Sequence, residues 1–439
     1  MKMAEPSLWP RGSQLLALRR PSQRRSVQRE GGGQRMVINL ASKAFIDAPE
    51  RFYDRARREH PVAPARIGPF KFMALWRFED CQTVLKHPGI SRNRGKALGK
   101  PPTDLPFALP LPKRLQPLVN SMITEDDPNH RRLRNLVRAQ FTPQAVASLR
   151  GALESHAEQL LAGTKDGEPF EVQGALSLPL STHAISAMLG VDDSVMPELK
   201  RALHIVSSGF SLWRIGALLF RDLPRSAAFL EGVIATKRQH PGADLLSGLL
   251  MPPEGEAPLT DEEALAMTFL LLIAGFETTT HLVSNGAYAL TRHPEARAVL
   301  KEDPNLWPEA IDEILRLYGP IHSTKPNFAA EPITLRGVTI ARGTPIMPML
   351  GCANRDPDAF EAPEEFRIHR PHRHHLAFGY GPHYCLGAHL AKLEAEVALR
   401  ALFTRYPRLT LSANHGFPQR AALPGWSRYQ ALWVDAQEP

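Results

Sequence analysis

One segment of the sequence can fold in only one way, as a long helix that is buried on every side. Thr260 and Glu263 have the spacing of a capping box, in which each side chain satisfies a backbone amide at the start of a helix. The apolar pattern then continues over residues 265–290, and Pro294 follows its end. Because residues 269–273 are all apolar, no face of this helix suits water. The sequence therefore predicts a mainly α-helical domain with one long central helix.

Two shorter stretches predict a small β portion beside the helices. Residues 65–76 have the composition of a hairpin with its turn at Gly68-Pro69, and residues 333–347 alternate as strands do. Six prolines within residues 101–117 exclude a continuous helix there, so we expect a long structured loop that roofs a pocket.

The positive charge of the chain is concentrated at its N-terminus. Residues 1–35 carry +6 of the net charge of +8, and the other 404 residues carry only +2. This segment has little periodicity, so we expect a basic, disordered tail that precedes a single domain over residues 36–439. Because nucleic-acid binding needs clustered cations on the folded domain itself, the charge does not favour a nucleic-acid-binding protein.

Neither a membrane span nor secretion is expected from the sequence. The longest uninterrupted apolar run, residues 269–276, is less than half of what a membrane helix needs, and no secretory apolar region follows the first residues. The 3 cysteines among 439 residues rule out a disulfide scaffold and indicate a reducing compartment. We expect a cytoplasmic, monomeric protein.

One cysteine lies among glycines directly before a predicted helix. Cys385 stands in the segment FGYGPHYCLG of residues 378–387, and apolar residues at helical spacing follow it. The amides of a tight loop and a helix N-terminus stabilise a thiolate, which acts as a nucleophile or as a metal ligand. A thiolate ligand to haem iron needs one cysteine, such a loop and an apolar wall, which Phe378 can supply. A buried structural cysteine is the plain alternative.

Other chemistry for this cysteine has weaker support. His383 is two residues away, but neighbours in a turn rarely face each other as a nucleophile and its base must. Nearby histidines have irregular spacing and no second cysteine joins them, so a surface cluster explains them better than a zinc site. They are His369, His372, His374, His375 and His383.

The middle of the long helix departs from its own apolar pattern. Residues 274–280 read AGFETTT, which places Glu277 and three threonines in an otherwise apolar helix. One interpretation is that the threonine hydroxyls bond to carbonyls one turn earlier while Glu277 pairs locally. The functional alternative is that Gly275 lets a small ligand approach the backbone, Thr278 bonds this ligand and Glu277 relays protons.

Two further pairs share helical faces. Glu313 and Arg316 are three residues apart, which is most often a solvated surface pair. His130 and Arg134 are four residues apart, so they can grip an anionic group together, although a solvated basic helix is the commoner explanation. Neither pair is specific by itself.

Together, in this order, these patterns resemble the cytochrome P-450 family of haem-thiolate monooxygenases over roughly residues 40–435. The cysteine loop matches the motif F-x-x-G-x-x-x-C-x-G, the helix segment matches A-G-x-[DE]-T-T, and Glu313 with Arg316 matches E-x-x-R. The resemblance implies a single, mainly α haem domain with a small β portion. It also implies haem b as the cofactor, with Cys385 as the ligand of the iron.

The resemblance implies further contacts with the haem, and one departure from the family. His130, Arg134 and His383 match positions that bind the haem propionates. The family usually has an arginine where this chain has Asn327, and Lys325 is the candidate that compensates for it.

A second departure concerns a buried Glu–Arg–Arg cluster of the family. In many members the third charged residue of this cluster is an arginine. It directly precedes a phenylalanine of the segment known as the meander. Here Glu365 precedes Phe366, and Arg370 is the candidate third member.

The activity that the resemblance implies is insertion of one oxygen atom from O2 into a hydrophobic small molecule. Gly275 would open space for O2, while Thr278, and Glu277 through water, would deliver protons. Electrons derived from NAD(P)H would come from an external ferredoxin and its reductase, since the chain has no flavin or nicotinamide domain to spare. The cationic helix face around Arg131 and Arg132 is the expected docking surface.

Two alternatives to this activity stay open. A peroxide-driven peroxygenase is disfavoured by the Glu277–Thr278 pair, which in the family serves O2 activation. A non-catalytic haem carrier or gas sensor is disfavoured by the same proton relay. By family analogy the pocket lining includes residues 100–117, 210–213, 218–220 and 319–322. Their apolar character favours a hydrophobic substrate but does not identify it.

Overall fold

The computed structural model describes residues 37–100, 121–192, 197, 221–251, 257–371, 374–421 and 425–436. Several predictions fall on other residues and lie outside this part of the chain. They are the basic tail of residues 1–35, the Pro-rich segment 101–117, the pocket residues 210–213 and 218–220, and His372.

Helices make up most of the described chain, which confirms the predicted mainly α fold. In chain order they are α1 (Lys43–Asp47), α2 (Glu50–Glu59), α3 (Phe78–Lys86), α4 (Arg94–Ala97), α5 (Asn129–Arg138), α6 (Pro143–Ala147), α7 (Arg150–Ala162), α8 (Leu178–Leu189), α9 (Leu223–Gln239), α10 (Leu245–Leu250), α11 (Asp261–Arg292), α12 (Pro294–Glu302), α13 (Trp307–Tyr318), α14 (Leu350–Ala353) and α15 (Ala388–Arg405).

Short strands form the predicted β portion. In chain order they are β1 (Ile38–Asn39), β2 (Val62–Ile67), β3 (Phe70–Leu75), β4 (Ile90–Ser91), β5 (Pro169–Glu171), β6 (Asn327–Ala329), β7 (Ile333–Leu335), β8 (Val338–Ile340), β9 (Pro345–Pro348), β10 (Thr410–Leu411) and β11 (Trp433–Asp435). The largest sheet has the order β1-β2-β3-β9-β6-β4, and the smaller ones are β10-β11-β5 and β7-β8. Gly68, at a φ of +58°, lies in the turn of the predicted β2–β3 hairpin.

Helix α11 is the predicted central helix. Its capping box is present: the Glu263 amide donates to Thr260 Oγ1 and the Thr260 amide donates to Glu263 Oε2, both at 3.1 Å. The helix ends at Arg292, directly before the predicted His293-Pro294 stop. It packs against α8, α13 and α15, so neighbours cover its apolar surface on several sides.

By length and composition α11 is also able to cross a membrane, which its longest apolar run did not indicate. Its most apolar 18-residue window has a mean hydropathy of 1.4, and 67% of that window is buried inside the protein. The uninterrupted apolar run is short, but small residues such as Gly and Ala keep the mean hydropathy of the longer window high. A helix enclosed by other helices needs this composition for packing alone.

The main hydrophobic core surrounds α11. Leu272 of this helix, Leu180 of α8 and Leu399 of α15 are all fully buried in it. The β region has separate apolar clusters, in which Leu75 and Trp76 are fully buried. The cysteine loop, residues 378–387, connects the two regions along the chain. It follows the β region and leads into α15.

The predicted Glu–Arg–Arg cluster is buried and complete. Glu313 and Arg316 are 4% and 3% exposed, so they are not the solvated pair that their spacing most often indicates. Arg316 donates to both carboxylate oxygens of Glu313 at 2.7 Å, and Arg370 reaches them at 3.2 Å, which confirms it as third member. Arg316 also donates to three carbonyl oxygens, those of Asn354, Pro363 and Glu365.

Candidate functional site

The cysteine loop owes its shape to glycines. Gly379 and Gly381 have φ angles of +73° and +75°, in the left-handed region where a side chain is strained. At Gly381 a Cβ would also lie 2.7 Å from the carbonyl oxygen of Leu85, so there is no room for a side chain. The amide of Cys385 donates to the carbonyl oxygen of Phe378 at 2.9 Å, which closes the loop.

Cys385 is solvent-accessible yet surrounded by protein atoms, as expected of a side chain at the floor of a recess. Burial raises the pKa of its thiol, while the Gly387 amide and the charge of Arg134 lower it. These two groups act in the predicted direction, but burial outweighs them. A metal cation bonded to the sulfur would favour the thiolate.

The three propionate-binding residues predicted from the sequence lie together beside the cysteine loop. The ring centroids of His130, on α5, and His383 are 4.0 Å apart. Arg134, one turn further along α5, donates through Nη2 to the carbonyl oxygen of Tyr384 at 2.7 Å. His130 Nδ1 lies 3.2 Å from Asp127 Oδ1, but its buried Nε2 has no hydrogen-bond partner among the described residues.

This group is positively charged and only partly neutralised. Burial lowers the pKa of His383 to about 2, and Arg92, His130 and Arg134 lower it further. Burial also lowers the pKa of Arg92 to about 10, against the opposing effect of Asp126. Two guanidiniums and an unpartnered imidazole nitrogen suit a ligand with two carboxylates. The propionates of haem fit this group, and the sulfur of the neighbouring loop fits the iron.

The remaining predicted haem contacts stay predictions. Lys325 is exposed in the segment before β6. Asn327, which stands where the family usually has arginine, is 1% exposed and donates its amide to the carbonyl oxygen of Ile346 at 3.3 Å, so it ties the sheet together. Phe378 is half-buried, with its ring centroid 6.2 Å from that of Tyr384 on the same loop.

The threonines of α11 make the hydrogen bonds expected inside a helix. Thr278 Oγ1 donates to the carbonyl oxygen of Ala274 at 2.8 Å, and Thr280 Oγ1 donates to that of Phe276 at 2.7 Å. This is the first of the two interpretations of the segment. It does not exclude the second for Thr278, because a hydroxyl that donates its proton still accepts hydrogen bonds through its oxygen.

Glu277 pairs with a residue from the far end of the chain. Arg428 Nη1 lies 3.0 Å from Glu277 Oε1 and 3.4 Å from His281 Nε2. Arg428 is 5% exposed, so this is a buried ion pair. Burial, with a smaller effect of Arg428, lowers the pKa of His281 to about 3, so its ring is neutral and Nε2 is able to accept from the guanidinium.

The segment 426–429 lies along one face of α11. The contacting residues of the helix recur at intervals of four, four and three, which places them in one row. Asn285 Nδ2 donates to the carbonyl oxygen of Ser427 at 2.7 Å, and the rings of Tyr288 and Tyr429 are 4.7 Å apart. The row consists of Glu277, His281, Asn285 and Tyr288.

The space-opening role predicted for Gly275 is not supported by its surroundings. A Cβ at this position would lie 2.7 Å from Cγ1 and 2.8 Å from Cδ1 of Ile185. Ile185 belongs to α8 and is 1% exposed. Gly275 is thus explained by the close approach of α8 to α11, and its free side faces that helix rather than a ligand.

The alternative chemistries considered for the cysteine find no support in the described residues. No group of three His, Cys, Asp or Glu side chains there is able to hold a metal ion. His375 instead pairs with Asp312 at 3.3 Å. No hydrogen bond joins His383 to Cys385 within the described chain, as a base and its nucleophile would require.

Comparison with known proteins gives the family. The sequence pattern of cytochrome P450 matches residues 228–415. The cytochrome P450 monooxygenase PikC of Streptomyces venezuelae is 38% identical, over 87% of this chain and 89% of that protein. The 6-deoxyerythronolide B hydroxylase of Saccharopolyspora erythraea is 33% identical, over 86% of this chain and 93% of the relative. A myxobacterial cytochrome P450 solved in complex with myristic acid has a TM-score of 0.84 at 30% identity, covering 91% of this chain and 99% of the other.

The mainly α fold with small sheets, which the chain shares with these relatives, is that of a haem protein. The chain belongs to the cytochrome P450 family, and it is an oxidoreductase of the monooxygenase type.

Two residues of the site were not predicted from the sequence. Arg92 joins the group of His130, Arg134 and His383, and Arg428 holds Glu277. Neither lies in a motif, and each is brought to the site by contacts over a long sequence separation. The only signal for Arg428 was the acid itself, since Glu277 in an apolar helix requires a cation from elsewhere.

Proposed function

We propose that this protein hydroxylates a hydrophobic small molecule, with the Cys385 thiolate as the ligand of haem b and electrons from an external ferredoxin. The observation that carries the proposal is the accessible sulfur beside a positively charged group with an unpartnered buried nitrogen. Bound haem supplies activation of O2, which no side chain provides. The residues of the chain hold the cofactor, pose the substrate and move protons.

His130, Arg134 and His383 hold the cofactor through its propionates. Each lies next to the cysteine loop, and together they bring donors from α5 and from the loop itself. An anion on the Nε2 side of His130 gives that buried nitrogen the partner it lacks among the described residues. Phe378 supplies an apolar wall next to the sulfur.

Thr278 and Glu277 move protons to the oxygen that is reduced. Thr278 Oγ1 already donates to Ala274, so its oxygen accepts a hydrogen bond from water. Arg428 orients the Glu277 carboxylate, and this carboxylate exchanges protons with that water. Thr278→Ala should therefore lower ferredoxin-driven turnover by about 10²-fold or more and divert reduced oxygen to hydrogen peroxide.

The carbon monoxide adduct of the reduced, haem-loaded protein tests the central claim. We expect the strongly red-shifted Soret band of a thiolate haem, and we expect Cys385→His to abolish both this band and the activity. Cys81→Ala, at a buried free cysteine in the β region, is the matched control and should retain the band. A wild-type protein without the band, or a Cys385→His variant that keeps it, rules out the assignment.

The two alternatives are separated from the proposal by their products. A peroxygenase turns over faster with hydrogen peroxide than with ferredoxin and NAD(P)H, and Thr278→Ala would not slow it. A haem carrier or sensor yields no oxidised product from any ligand despite reduction and consumption of O2.

The redox partner is expected to dock on the exposed face of α5. Arg131 pairs with Asp127 at 2.6 Å, yet its side chain is 74% exposed, and Arg138 is exposed two helical turns further along. Arg132 is less available than the sequence suggested, because it pairs with Glu263. Arg131→Gln/Arg138→Gln should raise the KM for an acidic ferredoxin and flatten its salt dependence. Reduction rates with an unchanged salt dependence would place the docking face elsewhere.

The substrate is an apolar molecule, and the protein is assigned to the cytoplasm. Support for the substrate class comes from relatives: one is named a 6-deoxyerythronolide B hydroxylase and another was solved with myristic acid. The absence of a disulfide among the described cysteines suits a reducing compartment. A ligand screen by Soret shift, which reports loss of water from the iron, tests the substrate class directly.

A further inference from the structure

The pairing of two short strands places Arg92 next to a position at which this chain differs from the family. Strand β4 pairs antiparallel with β6, with Ile90 opposite Ala329 and Ser91 opposite Phe328. The same register places the next residue of the β4 segment, Arg92, beside Asn327. This is the position where the family usually has an arginine and this chain does not.

The backbone of Arg92 is held in place by Asp126, but its guanidinium is only partly neutralised by that carboxylate. Its backbone amide donates to Asp126 Oδ1 at 2.7 Å, and Asp126 Oδ2 accepts from the Ser91 hydroxyl. Both carboxylate oxygens are thus occupied by the backbone and by serine. The half-buried guanidinium forms no hydrogen bond or ion pair with any described residue. A cation kept from water in this way is costly unless an anion joins it.

Arg92 belongs to the same group as the predicted propionate ligands. Burial is the largest cause that lowers the pKa of His130, and the charges of Arg134 and Arg92 contribute to it. Three basic residues from α5 and the β4–α4 junction therefore share one electrostatic environment. Asn327 itself is not available to an anion through its amide, which donates to Ile346 O and Thr324 Oγ1.

We propose that Arg92 binds a propionate carboxylate of the haem and replaces, from the neighbouring strand, the arginine that Asn327 lacks. The inference rests on the proposed haem site. It assigns to Arg92 the role predicted above for Lys325, which is exposed in the segment before β6. Compared with the family, the cation lies on the β4 side of the β4–β6 pair and not on β6. The positive charge available to the propionate is therefore the same.

The rate of haem transfer from the ferric protein to excess apomyoglobin tests this assignment. Arg92→Gln should lose haem about tenfold faster than the wild type, because a charge-assisted hydrogen bond is removed. Arg92→Lys should stay close to the wild-type rate. The matched control is Lys96→Gln on α4, an exposed cation paired with Glu125, which should change the rate by less than about twofold.

An exchange variant tests the replacement itself. Arg92→Gln/Asn327→Arg should recover most of the lost haem retention, since it returns the cation to the strand where the family carries it. The reduction potential of the iron should fall in Arg92→Gln and rise again in the exchange variant, because a nearby cation favours the ferrous form. If the exchange variant does not fold, the contrast between Arg92→Lys and Arg92→Gln decides.

Equal rates of haem loss from Arg92→Gln and Lys96→Gln overturn the proposal. An Arg92→Lys variant that loses haem as fast as Arg92→Gln also overturns it. The carbon monoxide spectrum keeps the two hypotheses apart. If Arg92 is not a ligand, the wild type still shows the thiolate band and the function stands. If the wild type lacks that band, the function fails regardless of Arg92.

Discussion

Two of the buried charge clusters among the described residues are built on opposite principles. In the first, Glu313 is surrounded by Arg316 and Arg370, and Arg316 uses its remaining donors on backbone carbonyls. In the second, Arg92, Arg134 and two histidines meet with no carboxylate of the described chain to balance them fully. The first cluster is complete within the protein, whereas the second is the one that we propose a ligand completes.

The difference shows how buried charge separates scaffold from site. A desolvated ion is tolerated only when its partners are supplied, so a complete cluster stabilises the fold that contains it. An incomplete cluster costs stability until its ligand arrives, and its existence points to that ligand. Sequence spacing does not make this distinction, since Glu313–Arg316 and His130–Arg134 are both ordinary helical pairs.

The largest effect is expected from breaking the complete cluster. Arg316→Met leaves Glu313 with part of its partners and three carbonyl oxygens without a donor, so the free energy of unfolding should fall by about 3–5 kcal/mol. Urea denaturation measures it. Arg55→Met, which breaks an exposed pair with Glu59, is the control and should cost less than about 1 kcal/mol. Equal losses in the two variants would contradict the distinction between the pairs.

Removing a cation from the incomplete cluster should not lower the free energy of unfolding of the haem-free protein. Arg134→Met is expected to leave the unfolding free energy of the haem-free protein unchanged or slightly higher, because it removes a cation that burial disfavours. The haem-loaded variant should lose its cofactor about tenfold faster if the same cation binds a propionate, as proposed above. Calorimetry with and without haem measures both. A large loss of stability without haem would make Arg134 a scaffold residue.

A further effect depends on pH and concerns a histidine whose partner lies inside the protein. His322 Nδ1 bonds to Tyr53 Oη at 3.1 Å, and burial lowers the pKa of His322 to about 3. The folded state therefore holds the neutral ring, while the unfolded chain binds a proton below about pH 6.5. Stability should fall as the pH drops from 6.5 towards 3, by about 1.4 kcal/mol per pH unit from this group.

His322→Asn should remove that share of the pH dependence, which denaturation between pH 6.5 and 4.5 would measure. Other buried histidines, including His281, keep their own contributions, so only the difference in slope between variant and wild type is informative. Identical slopes would show that His322 is protonated in the folded protein.

Local patterns predicted the parts of the fold that local forces determine. The capping box and apolar run placed α11 to within a few residues, and the turn at Gly68 placed the β2–β3 hairpin. Arg370 was identified as the third member of its cluster only through the family resemblance, and the structure confirms it.

The errors and omissions have a common cause in tertiary contacts. Gly275 was given a ligand role because the sequence does not show that α8 passes within contact distance. Arg92 and Arg428 were missed because a strand register and a C-terminal crossing bring them to the site. In each case the deciding neighbour is more than 80 residues away in the chain, beyond the reach of any periodicity.

The crossing of α11 by residues 426–429 has a consequence for how the enzyme is made. The helices of the described residues all precede Arg428 in the chain, so a nascent chain is able to assemble them before the cation that pairs with Glu277 leaves the ribosome. The acid is therefore the last group of the site to find its partner. A chain cut short just before this point would contain every helix given above and still lack the guanidinium that pairs with Glu277.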